Sequence, residues 1–212
     1  MRGSMNSAYI ERLTRIFTTS PGYLEQTGWL RSMESGQIVD RDGKPQPWLT
    51  YPSLEFLSAR ISPGMSVFEY GTGSSTLWWG KRVARLVSCE HDKEWYAALK
   101  DRITAANTTY LLRRYKGGST EYASEILKYR AEFDILVIDG RDRVNCARNS
   151  LGALRSGGVI IWDNSDRERY LPGYLFLQDA GFKRLDFWGM GPLSTRCWCT
   201  SVFYRHCNCL DI

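Results

Sequence analysis

Residues 65–76 constrain the fold of this chain more than any other segment. The segment begins with a short apolar run (Met65, Val67, Phe68) and continues through Glu69 into a Gly-Thr-Gly turn at 71–73, after which hydroxyl side chains follow. This order is typical of a buried strand, a tight turn and a helix N-terminus, which together form a cofactor crevice in an α/β sheet. Glycine at both turn positions allows a ligand to approach the backbone closely, because glycine has no Cβ.

The chemistry around this turn indicates which cofactor it would bind. A dinucleotide-binding turn has a third small residue where this chain has Thr76, and the carboxylate of Glu69 would repel a pyrophosphate. The same carboxylate suits the α-ammonium of an amino-acid moiety. Glu90 ends the next apolar run 17 residues after Gly73, near the spacing at which a carboxylate binds ribose hydroxyls. A ribose and an amino-acid ammonium in one ligand indicate S-adenosylmethionine, and a strand–turn–helix without a ligand is the alternative.

Residues 68–76 together with Glu90 resemble motifs I and II of the class I S-adenosylmethionine-dependent methyltransferases. In this interpretation Glu69 and Asp139 hold the methionine end, a hydroxyl of Ser75 or Thr76 binds its carboxylate, Glu90 binds the ribose and His91 lies along the adenine. The predicted cofactor-binding residues are Glu69, Tyr70, Gly71, Gly73, Ser75, Thr76, Glu90, His91 and Asp139.

The rest of the pattern predicts a Rossmann-like α/β fold. Apolar runs predict strands at 65–69, 86–90, 109–114, 133–139, 158–163, 183–188 and 198–204. Helical patterns separate the first six, which is typical of a parallel sheet with helices on both faces. The last two runs have no helix between them and can pair as a C-terminal β-hairpin. The resemblance, which covers about residues 61–205, implies a seven-stranded methyltransferase sheet whose final strand is antiparallel.

Residues 61–212 are therefore assigned to an S-adenosylmethionine-binding methyltransferase domain, and residues 5–60 to an N-terminal arm with helical and aromatic segments. Trp29, Trp48 and Tyr51 are too many large aromatic residues for a solvated arm. They either fasten the arm to the domain or make residues 47–52 part of a lid over the site. Residues 1–4 are interpreted as an expression leader.

A second constellation lies at the ends of two later strands. Asp139 follows one strand, and Asp163 with Asn164 ends the next, which suits a hard cation such as Mg²⁺ or Ca²⁺. It resembles the metal site of the catechol and caffeoyl-coenzyme A O-methyltransferases, except that Arg141 stands near the position of their lysine. Arginine cannot act as a base but suits an anionic or sugar-acid acceptor. The catalytic candidates are Asp139, Asp163 and Arg141; in the alternative without metal, Asp139 serves the cofactor and 163–164 caps a turn.

Net charge, hydropathy and cysteine content bear on the partners, the location and the metal content expected of this protein. The formal net charge is +5, and the basic residues are spread along the chain rather than clustered, which disfavours nucleic acid. No apolar stretch reaches the roughly 18 residues of a membrane span, so a cytoplasmic location is expected. The six cysteines are interpreted as thiols, with a zinc site as the less favoured alternative.

The sequence thus predicts methyl transfer from S-adenosylmethionine to a small-molecule acceptor, most readily at oxygen. A methyltransferase acting on protein or RNA and a cofactor-binding scaffold without activity are the alternatives. Nothing in the sequence indicates the oligomeric state.

Overall fold

A computed structural model describes residues 6–115 and 121–212. The strands are β1 (Ser66–Tyr70), β2 (Arg85–Glu90), β3 (Thr108–Leu112), β4 (Phe133–Ile138), β5 (Leu154–Asp163), β6 (Lys183–Gly189) and β7 (Trp198–Tyr204). The helices are α1 (Ser7–Thr18), α2 (Tyr23–Gln26), α3 (Trp29–Ser35), α4 (Tyr51–Ser58), α5 (Ser74–Gly80), α6 (Lys93–Lys100), α7 (Glu121–Ser124), α8 (Arg143–Ser150) and α9 (Leu171–Asp179), with 3₁₀ turns at Glu125–Lys128 and Glu168–Tyr170. The proposed leader, residues 1–4, lies outside the described residues.

All seven predicted strands are present, and they form one sheet in the order β3-β2-β1-β4-β5-β7-β6. β1 to β5 pair in parallel, whereas β7 runs antiparallel to both β5 and β6, so the predicted hairpin is confirmed. β5 begins at Leu154, four residues earlier than predicted, because its first residue pairs with Phe133 across a register shift.

The strand order places the carboxyl ends of β1 and β4 side by side. The chain builds β2 and β3 on one side of β1 and then returns to place β4 on the other, which makes this the switch point of the sheet. Tyr70 pairs with Ile138, and the amide of Asp139 donates to the carbonyl of Tyr70 at 2.9 Å. Side chains that follow β1, β4 and β5 therefore meet along one edge.

Both faces of the sheet are covered, as predicted. One face buries Phe68, Tyr70, Leu136 and Trp162 against side chains of α7, α8 and α9. The other buries Val67, Ile135, Val137 and Ile161 against side chains of α3, α4 and α5. Since successive strand residues point to opposite faces, each continuous apolar run contributes side chains to the cores on both faces of the sheet.

The N-terminal arm from α2 to α4 packs on the domain. The amide of Tyr51 donates to the Met190 carbonyl at 2.7 Å, and the indole N–H of Trp29 donates to the Ser194 carbonyl at 2.8 Å. Trp29 and Tyr51 are buried, whereas 46% of Trp48 is exposed. Trp29 and Tyr51 therefore fasten the arm to the domain, while a lid formed by residues 47–52 stays a prediction.

Other predictions concern the cysteines and the membrane. Cys89 and Cys146 are buried thiols, as predicted, and Cys199 is buried in β7. Cys197 and Cys207 are exposed. None of the helices in the described ranges is long and apolar enough to span a membrane.

Replacing Leu57 with alanine tests whether the arm folds as part of the domain. Leu57 in α4 is fully buried in the same cluster as Trp79 and Ile161. We expect Leu57→Ala to lower the free energy of unfolding by about 2–5 kcal/mol, through lost burial and the cavity left behind. Denaturant unfolding followed by circular dichroism measures this change.

Leu13→Ala is the matched control, because no residue of α1 is buried. Its effect should stay within about 0.5 kcal/mol. An effect of Leu57→Ala as small as that of the control would mean that the arm contributes no core to the domain.

Candidate active site

Two adjoining cavities open at the carboxyl edge of the sheet. The first, here called the crevice, has a volume of about 550 Å³ and is lined by Gly71, Ser75, Glu90, His91, Trp95 and Arg141, among others. The second, here called the chamber, has a volume of about 660 Å³ and is lined by Asp163, Asn164, Asp166, Arg196 and Trp198, among others. Trp48, Asp139 and Arg167 line both. The arm therefore supplies part of the wall between the two spaces.

The two glycines of the turn have different roles. Gly71 has a φ of +87°, and a Cβ on it would lie 2.8 Å from the amide nitrogen of Gly140. Glycine is required there because the turn packs directly against the end of β4. Gly73 has an extended φ of 170°, and a Cβ on it would meet no atom of the described chain within 4 Å. The space beside Gly73 is therefore open, as a bound ligand would need.

Glu69 lies behind the turn rather than in the crevice. It is only 1% exposed, and its Oε2 accepts hydrogen bonds from Thr76 Oγ1 at 2.6 Å and Ser88 Oγ at 2.5 Å. Burial raises its pKa to about 7, although these hydroxyl groups act in the opposite direction. Thr76 also accepts from the amide of Gly73 at 3.1 Å, so the pair anchors the turn from below.

Three of the side chains predicted to bind the cofactor do not lie in the crevice. Glu69 and Thr76 are buried, and the ring of Tyr70 lies in the core, where its hydroxyl donates to the carbonyl of Ala123 at 2.8 Å. Tyr70 points away because alternate residues of a strand face opposite sides. Of the two predicted hydroxyl residues, only Ser75 lines the crevice.

Glu90 lies at the predicted place and is held there by neighbouring groups. Its Oε2 accepts from the amide and hydroxyl of Thr72 at 3.1 and 2.7 Å, and its Oε1 accepts from the amides of His91 and Asp92 at 2.7 and 2.8 Å. Burial alone would raise the pKa of Glu90, but the His91 side chain, 2.8 Å from Oε1, together with these hydrogen bonds outweighs burial and lowers the pKa to about 2. Glu90 is therefore ionised and ties the turn to the end of β2.

Two aromatic groups complete this side of the crevice. The predicted His91 lines it, with its ring centroid 5.5 Å from that of Tyr122. Trp95 also lines it, and its indole N–H donates to the carbonyl of Thr72 at 2.8 Å. Trp95 was not predicted. The only signal for it is an aromatic residue in the first turn of the helix that follows Glu90.

Arg143 connects the ends of β4 and β5. Its guanidinium donates at 2.9 Å to the carbonyls of Gly140 and Asp139 and to Asp139 Oδ1, and it also donates to the carbonyl of Asp163. The residue is only 6% exposed. No site role was predicted for Arg143, whereas the predicted Arg141 lines the crevice. The positive charge closest to the two acids is therefore built into the fold.

Asp139 and Asp163 form a coupled pair of acids. Asp163 is buried, and its Oδ1 accepts from Trp198 Nε1 at 2.9 Å and Thr200 Oγ1 at 2.6 Å. Burial, followed by repulsion from Asp163, raises the pKa of Asp139 to about 8 in spite of Arg143. The pKa of Asp163 is raised as well, chiefly by burial. The pair therefore binds a proton more readily than ordinary carboxyl groups do.

The predicted metal ligands meet in the chamber, which Asp139, Asp163 and Asn164 all line. Oδ1 of each acid is engaged by protein groups, so a cation would bind the second oxygen of each. The mutual repulsion of the acids suits an added cation. Within residues 6–115 and 121–212, no group of three or more His, Cys, Asp or Glu side chains is placed to hold a metal.

No protein-family model matches the sequence, and no curated protein matches it. Among solved structures, a precorrin-6y C5,15-methyltransferase from Geobacter metallireducens is similar with a TM-score of 0.57 and 14% identity, over 73% of this chain and 87% of that chain. An rRNA methylase from Streptococcus thermophilus has a TM-score of 0.55 and 12% identity, over 73% of this chain and 97% of that chain. A methyltransferase from Pyrococcus furiosus has a TM-score of 0.52 and 17% identity, over 92% of this chain and 98% of that chain. This chain therefore has the fold of the class I S-adenosylmethionine-dependent methyltransferases.

Proposed function

We propose that this protein transfers the methyl group of S-adenosylmethionine to a hydroxyl group of a small-molecule acceptor. The observation that carries the proposal is the meeting of the crevice and the chamber at Asp139, on the switch-point edge of a methyltransferase sheet. A cofactor in the crevice and an acceptor in the chamber would face each other there. Such alignment supplies much of the rate enhancement in an in-line displacement.

The crevice has features that suit S-adenosylmethionine. The space beside Gly73 is open, Ser75 lines the crevice near the start of α5, and the ionised Glu90 lines it at the end of β2, where it would bind the ribose hydroxyls. His91 and Trp95 offer aromatic surfaces for an adenine. When bound, the cofactor would supply a methyl group on a sulfonium, which needs no further activation.

Asp139 is the residue best placed to accept the proton of the acceptor hydroxyl. It lines both cavities, and its raised pKa gives it the basicity that general-base catalysis near neutral pH requires. Arg141 cannot serve as a base because a guanidinium stays protonated, but it can bind an anionic part of either ligand. Asp163 is held by Trp198 and Thr200 and acts mainly on the charge of Asp139.

A small acceptor is favoured over a macromolecule by the size and walls of the chamber. Its volume of about 660 Å³ is within the range of small-molecule sites, and Trp48 of the arm stands at its wall. The similar protein from Streptococcus thermophilus is an rRNA methylase, so the fold alone does not decide the acceptor class. A protein that binds the cofactor as a scaffold without activity would show no methyl transfer in a single-turnover assay, whereas an enzyme would.

A second candidate is the metal-dependent form of the same reaction. The observation that favours it is that three oxygen-bearing side chains, those of Asp139, Asp163 and Asn164, line the same chamber. Asp139, Asp163 and Asn164 would hold Mg²⁺ or Ca²⁺, which would lower the pKa of an acceptor hydroxyl.

Calorimetry with S-adenosylhomocysteine tests the cofactor assignment. We expect micromolar binding to the unmodified protein and no binding of NAD. Gly73→Val should abolish cofactor binding because the branched side chain would fill the open space beside the turn, while the extended φ leaves the fold intact.

Gly64→Val is the matched control, since a Cβ there also meets no atom within 4 Å and the residue is remote from both cavities. It should bind the cofactor normally. Equal binding by Gly73→Val and the control, or NAD binding in place of S-adenosylhomocysteine, would contradict the assignment.

The pH dependence of stability tests the raised pKa of Asp139. Between its ordinary pKa near 3.8 and its raised pKa near 8, the folded protein holds a proton that the unfolded chain has released. The free energy of unfolding should therefore fall as the pH rises through this range, by at most about 1.4 kcal/mol per pH unit for one proton. Asp139→Asn should reduce this slope, as measured by urea unfolding from pH 5 to 9.

Asp101→Asn, at an exposed helix end, is the control and should keep the slope of the unmodified protein. An identical slope in Asp139→Asn would show that Asp139 titrates normally and would remove the argument for it as the base.

Binding of Mn²⁺, a stand-in for Mg²⁺, tests the metal-dependent form. If the three residues hold a cation, calorimetry should detect Mn²⁺ binding that Asp163→Ala abolishes. Methyl transfer to a panel of phenols and uronic acids should then stop in excess chelator and return with Mg²⁺ or Ca²⁺. Full activity in chelator together with no Mn²⁺ binding would leave only the metal-free form.

A further inference from the structure

We infer that the acceptor is an anion whose carboxylate or phosphate group is bound by Arg167 and Arg196 in the chamber, with its apolar part against Trp48 and Trp198. This inference rests on the proposed function, because it assigns the chamber to the acceptor. All four residues line the chamber, and Arg196 and Trp198 line it without lining the crevice.

The acids of the chamber are engaged by the protein itself. Asp139 is paired with Arg143, Asp163 accepts from Trp198 and Thr200, and Asp166 accepts from the amide of Cys199 at 3.3 Å. The chamber is therefore less suited to a cationic organic ligand than the presence of three aspartates in its wall would indicate.

The side chains of Arg167 and Arg196 differ from these acids in their hydrogen-bond and ion-pair partners. Within residues 6–115 and 121–212, neither Arg167 nor Arg196 has a side chain in an ion pair with an acid of the chain, and only their main-chain groups make hydrogen bonds there. Both are exposed, so their guanidinium groups stay accessible to a ligand. Planar guanidinium groups bind carboxylate and phosphate through paired hydrogen bonds. Two of them on one cavity make an anionic ligand the best electrostatic match.

The aromatic walls indicate the rest of the ligand. Trp198 donates its indole N–H to Asp163 Oδ1, which fixes the position of its ring at the chamber wall. Trp48 is 46% exposed, although it stands on an arm whose other tryptophan, Trp29, is buried. An exposed large aromatic side chain at a cavity is typical of contact with an apolar or ring-shaped ligand. The expected acceptor therefore combines a negative group with a flat apolar portion.

Matched probes of one shape and different charge test this inference. Protein loaded with S-adenosylhomocysteine is titrated with benzoate, phenyl phosphate and the neutral benzyl alcohol, with tryptophan fluorescence as the readout. We expect at least one anion to bind more than about tenfold tighter than benzyl alcohol, in line with hydrogen bonds to a charged group. The stronger of the two anions identifies carboxylate or phosphate as the preferred group.

Substitutions locate the binding groups. Arg196→Gln should weaken binding of the preferred anion by about tenfold, and the double variant Arg167→Gln with Arg196→Gln should abolish it. Arg148→Gln, an exposed arginine of α8, is the matched control and should change nothing. Since Arg196 does not line the crevice, Arg196→Gln should keep the S-adenosylhomocysteine affinity of the unmodified protein.

The outcomes separate this inference from the proposed function. Failure of the unmodified protein to bind S-adenosylhomocysteine would count against the proposed function, and the anion titration of the unloaded protein would still test the chamber. Normal cofactor binding with no preference for either anion over benzyl alcohol, including no binding of any probe, would overturn the inference. Anion binding that survives loss of both arginines would overturn it as well.

Discussion

The buried guanidinium of Arg143 is the interaction on which the site depends. The ends of β4 and β5 bring the carboxylate of Asp139 and the carbonyls of Asp139, Gly140 and Asp163 together at one edge. Arg143 donates to carbonyls at the ends of β4 and β5 and to the carboxylate of Asp139, and so holds both strand ends in place. A buried cation of this kind is stable only with such partners. The pKa of Asp139 is nevertheless raised, by burial and then by repulsion from Asp163.

Two glutamates at neighbouring strand ends show how partners decide charge. Burial raises the pKa of Glu69 although hydroxyl groups donate hydrogen bonds to it, whereas the His91 side chain, backbone amides and Thr72 outweigh burial at Glu90 and lower its pKa. Backbone amides at a strand end donate only to an acceptor, so they favour the ionised form. Hydroxyl groups can rotate and serve either form. The same residue type therefore anchors the turn at one strand end and presents a fixed negative charge at the other.

The ends of the parallel strands β4 and β5 supply Asp139 and Asp163 to the chamber, while other parts of its wall come from segments outside those strands. The solved structures that share this fold include a precorrin methyltransferase and an rRNA methylase, so the sheet does not choose the acceptor. Here Trp48 comes from the arm and Arg196 from the connection between β6 and β7. Such connections can change without disturbing the core, which is where specificity can vary.

The sequence alone determined the α/β class, the seven strands, the turn at 71–73 and the acids at the strand ends, because these follow from local periodicity and from residues adjacent in the chain. It could not determine which side chains near the turn reach the crevice: Glu69 and Thr76 lie within three residues of the glycines in the chain yet are buried behind the turn. Nor could it separate Arg141 from Arg143, two residues apart, since only α8 and the paired strand ends direct one guanidinium inward. Trp48 and Arg196 line the same chamber although they are 148 positions apart in the chain. Only the tertiary structure decided these features, because they arise from packing between segments that local pattern does not relate.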